Sequence, residues 1–137
     1  MKVFIDTNII LDFFLAREPF DKEATTIFTL AAEKKIKIHI AAISYPQIGY
    51  FLEKFNKQHV RNRLLDLFEI TEAVAVDKHT ISKAVASPIT DFEDALQYTC
   101  ATTITDLYAF ITRDNKHFKQ TELLLLTPAE FLQNFNH

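Results

Sequence analysis

Lys2-Val3-Phe4-Ile5-Asp6-Thr7-Asn8 opens on an apolar run and ends in three polar residues, an aspartate first. Such a run reads as a short buried strand, and a carboxylate at the end of a buried strand lies at the sheet rim, where loops and ligands meet. The pattern recurs late in the chain, where Leu107-Tyr108-Ala109-Phe110-Ile111 is followed by Thr112-Arg113-Asp114. The fold follows from what separates these two stretches.

Ile9 to Leu15 reads as a short helix broken at Arg17-Glu18-Pro19, since proline disfavours helix at the residue before it. Asp21 is placed to cap a second helix through Ala24, Ile27, Phe28, Leu30 and Ala31, and Lys37 to Ala41 is the second strand. Ser44-Tyr45-Pro46-Gln47 has a capping serine, an early proline and a glutamine three residues after the serine, which announce a helix carrying Ile48, Phe51, Leu52 and Phe55. Gln58 to Phe68 repeats helical spacing, Ile70 to Val76 reads as a third strand, and Lys78 to Ala86 as a helix that ends before Pro88. Thr90 with Glu93 makes a second capping box, opening a helix from Asp91 to about Thr102. Leu107 to Ile111 is then a fourth strand and Leu123 to Leu126 a fifth, and Thr127-Pro128-Ala129-Glu130 is a third box before a terminal helix. Strands alternating with helices predict an α/β domain with a largely parallel sheet.

A chain of 137 residues suits one such domain, spanning residues 1–137. With 48% hydrophobic residues and 13 phenylalanines against 24% charged ones, disorder and coiled coil are excluded and the core is expected to be phenylalanine-rich. Gly49 is the only glycine, so phosphate loops and dinucleotide fingerprints, which need several, are excluded too. A lone cysteine, Cys100, forms no intrachain disulfide and no multi-cysteine zinc site, and fits a reducing compartment. Met1-Lys2-Val3-Phe4-Ile5-Asp6 turns acidic too early for a secretion signal, and no apolar run reaches the roughly 18 residues of a membrane span. A cytoplasmic location with no membrane partner is the expectation.

Asp91 and Asp94 are three apart on one helix and project from the same face, where like charges cost a few tenths of a kcal/mol unless something offsets them. Helix-start chemistry explains Glu93 and most of Asp91, but not Asp94. Asp6 and Asp114 each have a turn explanation when taken singly. Their joint occurrence points further, because successive strand ends of a parallel sheet face one edge, which they share with the start of the Asp91 helix. Acids gathered there repel unless a cation holds them, and magnesium or manganese suits such oxygen ligands. The metal site is thus expected at Asp6, Asp94, Asp114 and Asp91, with Thr7, Asn8 and Thr112 supporting the carboxylates or the attacking water. One or two such ions can lower the pKa of a water and neutralise charge on a phosphodiester, so hydrolysis of a nucleic acid follows. Arg113, Lys116, His117 and Lys119 are placed to meet flanking phosphates. A formal charge of −3 does not oppose this: with those four aspartates set aside, the other 14 acids face 15 Lys and Arg, leaving about +1.

At these residues the chain resembles a PIN domain, the fold of many toxin ribonucleases of the VapC type. The resemblance is carried by Val3-Phe4-Ile5-Asp6-Thr7-Asn8, by Asp94-Ala95-Leu96 on a late helix, and by Ile111-Thr112-Arg113-Asp114 after a late strand, in matching order over essentially the whole length. It implies a three-layer α/β/α sandwich around a mostly parallel sheet of about five strands. It also implies a magnesium- or manganese-dependent endoribonuclease preferring single-stranded RNA, with metal-binding carboxylates at Asp6, Asp94 and Asp114 and a polar support at Asn8. The implied partners are single-stranded or structured RNA, a cognate antitoxin and a second copy of the chain in a homodimer. One position departs from the pattern: many members carry a glutamate near the start of the helix after the second strand, and here Gln47 stands there. An amide binds a hard cation more weakly than a carboxylate, Gln47 has an explanation in the Ser44 capping box, and Asp91 is positioned to restore the charge. If it does not, the alternative is a catalytically weak or inactive module that binds RNA or protein.

Cys100 is expected in the core, His39 as a satisfied or edge-facing strand histidine, and Tyr45, Tyr50 and Tyr98 in packing rather than base stacking. Phosphoryl transfer through an aspartate is disfavoured, because the phosphatase pattern wants an acid where Asn8 stands.

Overall fold

Strand β1 (Lys2–Ile5) lies at the centre of the sheet although it comes first in the chain. The computed structural model describes residues 1–55, 57–118 and 121–136, with the His117 side chain excepted. Helices α1 (Thr7–Phe14) and α2 (Asp21–Ala32) lead to β2 (Lys37–Ala41), and α3 (Ser44–Lys54) and α4 (Val60–Ile70) lead to β3 (Thr71–Val74). Helices α5 (Lys78–Ala86) and α6 (Phe92–Thr102) precede β4 (Leu107–Ile111), and a short turn leads to β5 (Leu125–Leu126) and α7 (Pro128–Phe135). The strands run in the order β3-β2-β1-β4-β5, every neighbouring pair parallel. This is the expected α/β architecture with a five-stranded parallel sheet among the described residues.

The central strands are buried on both faces, and successive side chains fall alternately to one face and the other, which assigns the layers. Val3, Ile5, Ile38, Ile40, Ala109 and Ile111 face one side, where Ile9 and Ile10 of α1, Ile27 and Phe28 of α2, Ile48 and Leu52 of α3, Leu67 of α4 and Phe131 of α7 pack on them. Phe4, Ala41 and Phe110 face the other, against Cys100 and Ala101 of α6 and the ring of Phe118. Ala84 of α5 meets Ala95 and Leu96 of α6 behind that layer. The sheet's own residues differ between the faces, aliphatic on the first and including the rings of Phe4 and Phe110 on the second. Phe110 has its ring centroid 5.1 Å from both Phe4 and Phe118.

Helix α1 begins at Thr7 rather than Ile9 and α4 at Val60 rather than Gln58, and three of the expected caps are not used. Asp21 is the first residue of α2 and makes no capping bond, the cap position being Phe20. In α3 the cap position is Ile43, again without a side-chain cap, because the hydroxyl of Ser44 is engaged with Thr7 Oγ1 at 2.7 Å. In α6 the cap is Asp91 rather than Thr90, its carboxylate accepting from Asp94 N at 2.9 Å. The Thr127–Glu130 capping box forms as expected, with Pro128 at the first helical position. None of the described helices is long and apolar enough to cross a membrane.

Cys100 is fully buried, and burial pushes its thiol up to about 11. A thiol is nucleophilic only as thiolate. We expect iodoacetamide at pH 8 to leave the native protein unlabelled by mass spectrometry and to label it once denaturant opens the core; rapid native labelling would contradict the placement.

Candidate active site

The site starts from the β1–β4 register. Ile5 pairs with Ile111, and Asp6 N then donates to Ile111 O at 3.0 Å, so Asp6 and Thr112 leave the sheet side by side at one edge. Asp6 is itself the cap of α1: its Oδ1 accepts from Asn8 N at 3.1 Å. The carboxylate is only 5% exposed and accepts two further bonds, from Thr112 Oγ1 to Oδ2 at 2.9 Å and from Gln97 Nε2 to Oδ1 at 3.4 Å. Donors on both oxygens fix the plane of the carboxylate. Thr112, fully buried, also accepts from Asp114 N at 3.3 Å, so one hydroxyl links the Asp6 carboxylate to the Asp114 backbone.

Gln97 lies three residues after Asp94 and therefore on the same face of α6. Its Oε1 accepts from Thr7 N at 3.0 Å and from Thr7 Oγ1 at 3.2 Å, which fixes the amide so that its nitrogen points at Asp6. Thr7 in turn meets Ser44 at the start of α3. Buried hydrogen bonds thus tie α1, α3 and α6 together beneath the acids. Sequence reading missed Gln97 and Ser44, and the available signal was the three-residue spacing from Asp94 to Gln97.

Above this floor lies a pocket of about 310 Å³ lined by Asp6, Thr7, Asn8, Leu11, Arg17, Gln47, Phe51, Asp91, Glu93, Asp94, Gln97 and Asp114. It brings all four aspartates singled out in the sequence to one place, with Glu93 as a fifth carboxylate. Asp6 is buried, Asp94 intermediate, and Asp91 and Asp114 exposed, so the acids run from the floor of the pocket to its mouth. Asp91 lines the pocket while capping α6 through one oxygen. Of the supporting and phosphate-binding candidates, Thr7 and Asn8 line the pocket, Thr112 stands behind Asp6, and Arg113 and Lys116 are not among its walls. The His117 side chain and Lys119 lie outside the described residues.

Gln47 is at the pocket for a reason the sequence did not give. With no capping box at Ser44, its amide extends across to α6, and Nε2 donates to Glu93 Oε1 at 2.7 Å. Glu93 is released in the same way, because Asp91 does the capping expected of Thr90. Gln47 Oε1 is left buried with no hydrogen-bond partner among the described residues, a condition that costs about 1–3 kcal/mol in a protein interior.

The donor set suits a hard divalent ion: carboxylate oxygens of graded depth, and an amide oxygen in need of a partner that an ion or its water would supply. Among the described residues no three His, Cys, Asp or Glu side chains are gathered so closely as to ligate one ion directly. Magnesium commonly retains several waters and contacts only one or two carboxylates, which matches acids spread around a pocket.

Arg113 is occupied elsewhere. Its Nε donates to Asp12 Oδ2 at 2.7 Å and its Nη2 to Asp12 Oδ1 at 3.1 Å, while the guanidinium lies 4.0 Å over the Phe20 ring. Asp12 is 1% exposed; burial raises its carboxyl above the ordinary range, and the facing Arg113 and Arg17 work against that rise. Its polar position four residues after Asn8, in a helix otherwise rich in Ile, Leu and Phe, was the unread signal in the sequence.

Known proteins resemble the chain along most of its length. A family model described as a PIN domain matches residues 2–116. Ribonuclease VapC1 of Aquifex aeolicus is 25% identical over 140 residues, covering 98% of this chain and 96% of that protein. Among solved structures, a toxin-antitoxin complex from Klebsiella pneumoniae aligns with a TM-score of 0.67 and 21% identity, over 92% of this chain and 97% of that one. VapBC2 from Rickettsia felis, bound to a DNA fragment from their promoter, aligns with a TM-score of 0.65 and 20% identity, over 93% and 98% of the two chains. At such identities the two structures bear on the fold.

Proposed function

The chain belongs to the PIN domain family, and from that premise we propose that it is a divalent-metal-dependent endoribonuclease acting on single-stranded RNA, the toxin of a toxin–antitoxin pair working in the cytoplasm. The observation that carries this reading is the convergence of Asp6, Asp91, Asp94 and Asp114 on one pocket from two strand ends and one helix start. Those four residues would hold magnesium or manganese, which when bound offsets charge on the scissile phosphodiester and lowers the pKa of a water. The chain's own residues set the geometry: Thr112 and Gln97 hold the Asp6 carboxylate, and Thr7 with Ser44 holds Gln97. The description of the Klebsiella pneumoniae neighbour as a toxin-antitoxin complex supports a cognate antitoxin as partner. Exposed Tyr50, Phe55, Leu65 and Phe68 on and beside α3 and α4 supply apolar surface for that protein or for a second copy of the chain.

The test is cleavage of single-stranded RNA by the purified chain with manganese or magnesium, beside Asp94→Asn. The variant is expected to lose at least about tenfold in rate, since neutralising a carboxylate that holds the ion removes charge stabilisation worth kcal/mol; equal cleavage by both would sink the reading. A second reading keeps the fold without the chemistry, and it is favoured by Gln47 standing where many members have a carboxylate. Calorimetry separates the two: failure to bind manganese at millimolar concentration favours the binding module.

A further inference from the structure

An acidic pocket that accepts an anionic backbone needs positive charge from the protein as well as from an ion. The charge count around Asp12 shows where the chain supplies it. Two guanidiniums, Arg113 and Arg17, face this single buried carboxylate. Arg113 gives two of its five donors to both Asp12 oxygens in a fork, has one face against the Phe20 ring, and does not line the acidic pocket. Arg17 stands further out, its Nη1 3.8 Å from Asp12 Oδ1, a distance at which attraction remains but no hydrogen bond forms. The three side chains carry a net charge of +1, and the surplus sits on Arg17.

Arg17 is also the only Lys, Arg or His among the described residues that lines the acidic pocket. Its backbone is fixed: Arg17 N donates to Asp12 O at 3.0 Å, and Arg17 O accepts from Phe20 N and Asp21 N at 2.9 Å each. The side chain keeps 33% of its surface exposed, so it is anchored at the base and open at the tip. We infer that Arg17, rather than Arg113, is the side chain that meets a backbone phosphate of the RNA, with Asp12 as its positioning residue. This rests on the ribonuclease reading above. The bland account is that Arg17 only offsets the pocket's own carboxylates.

Steady-state cleavage of a single-stranded RNA oligonucleotide, repeated over a series of salt concentrations, distinguishes them. One lost charge-assisted phosphate contact is expected to raise KM on the order of tenfold in Arg17→Ala, with kcat within about threefold. The slope of log KM against log salt should fall by about 0.7, the value for one phosphate contact on a single strand. Arg17→Lys keeps the charge and is expected to keep the slope, with KM between the two; it also serves as the folded comparison if Arg17→Ala is unstable. An unchanged KM and slope in Arg17→Ala, a loss confined to kcat, or a reduced slope in Arg17→Lys would each overturn the assignment while leaving the ribonuclease reading intact. Absence of cleavage by the parent chain would overturn that reading and this one together.

Discussion

Asp6→Asn is expected to lower metal-supported cleavage of single-stranded RNA by at least about a hundredfold while leaving the chain folded. The loss follows from the position of Asp6, the most deeply buried of the pocket acids and held on both oxygens. An ion's stabilisation of a developing phosphodiester charge is worth several kcal/mol, and a hundredfold corresponds to about 2.7 kcal/mol, so removing this carboxylate is sufficient to account for it. Asparagine caps a helix about as well as aspartate, so the bond from Asn8 N survives, and the Thr112 hydroxyl can turn to accept from the new amide. The thermal midpoint should therefore stay within a few degrees of the parent. Asp6→Ala is a poorer probe, because it strips the cap and leaves buried donors on Gln97 and Thr112 unpaired, at about 1–3 kcal/mol each. Cleavage by Asp6→Asn within threefold of the parent, with the fold intact by circular dichroism, would remove Asp6 from the chemistry.

The largest stability effect is expected at Phe110. This side chain is fully buried on a central strand, with rings of Phe4 and Phe118 at 5.1 Å and Tyr98 at 6.4 Å. Phe110→Ala removes one ring from a cluster of four and should cost about 3–5 kcal/mol. A domain of this size is stable by about 5–15 kcal/mol, so the variant is left marginal, with its midpoint lowered on the order of 15 °C. Val85→Ala, at a side chain 69% exposed, is the comparison and should stay within about 0.5 kcal/mol. Urea denaturation of both measures the difference; a cost below about 1 kcal/mol for Phe110→Ala would mean that the ring cluster is not the core of that layer.

Strands β1, β2 and β4 and helix α5 have the limits that the apolar runs and Pro88 suggested, because their patterns are local and cleanly bounded. Shorter β3 and β5 reflect edge positions, where one neighbour fixes fewer residues. Helix starts were the less legible part. Ser44, Thr90 and Asp21 all have capping chemistry, yet the choice among adjacent polar residues is made by tertiary partners: Thr7 takes Ser44, and Asp91 displaces Thr90. Those choices free Gln47 and Glu93 to meet, which spacing along the chain could not reveal. The grouping of the aspartates was legible because strand ends in a parallel sheet share an edge. Arg113 was misplaced for the converse reason: proximity to Asp114 in sequence says nothing of a buried Asp12 reaching across from α1.

The placement of β1 between β2 and β4 also sets when the acidic pocket can form. Thr112 and Asp6 are 106 residues apart in sequence, and no earlier segment supplies the hydrogen bonds that β4 gives β1. Closing so long a loop is slow compared with local helix formation. A nascent chain emerging from the ribosome therefore carries Asp6 on a half-paired strand, and the acidic pocket forms only once β4 has followed.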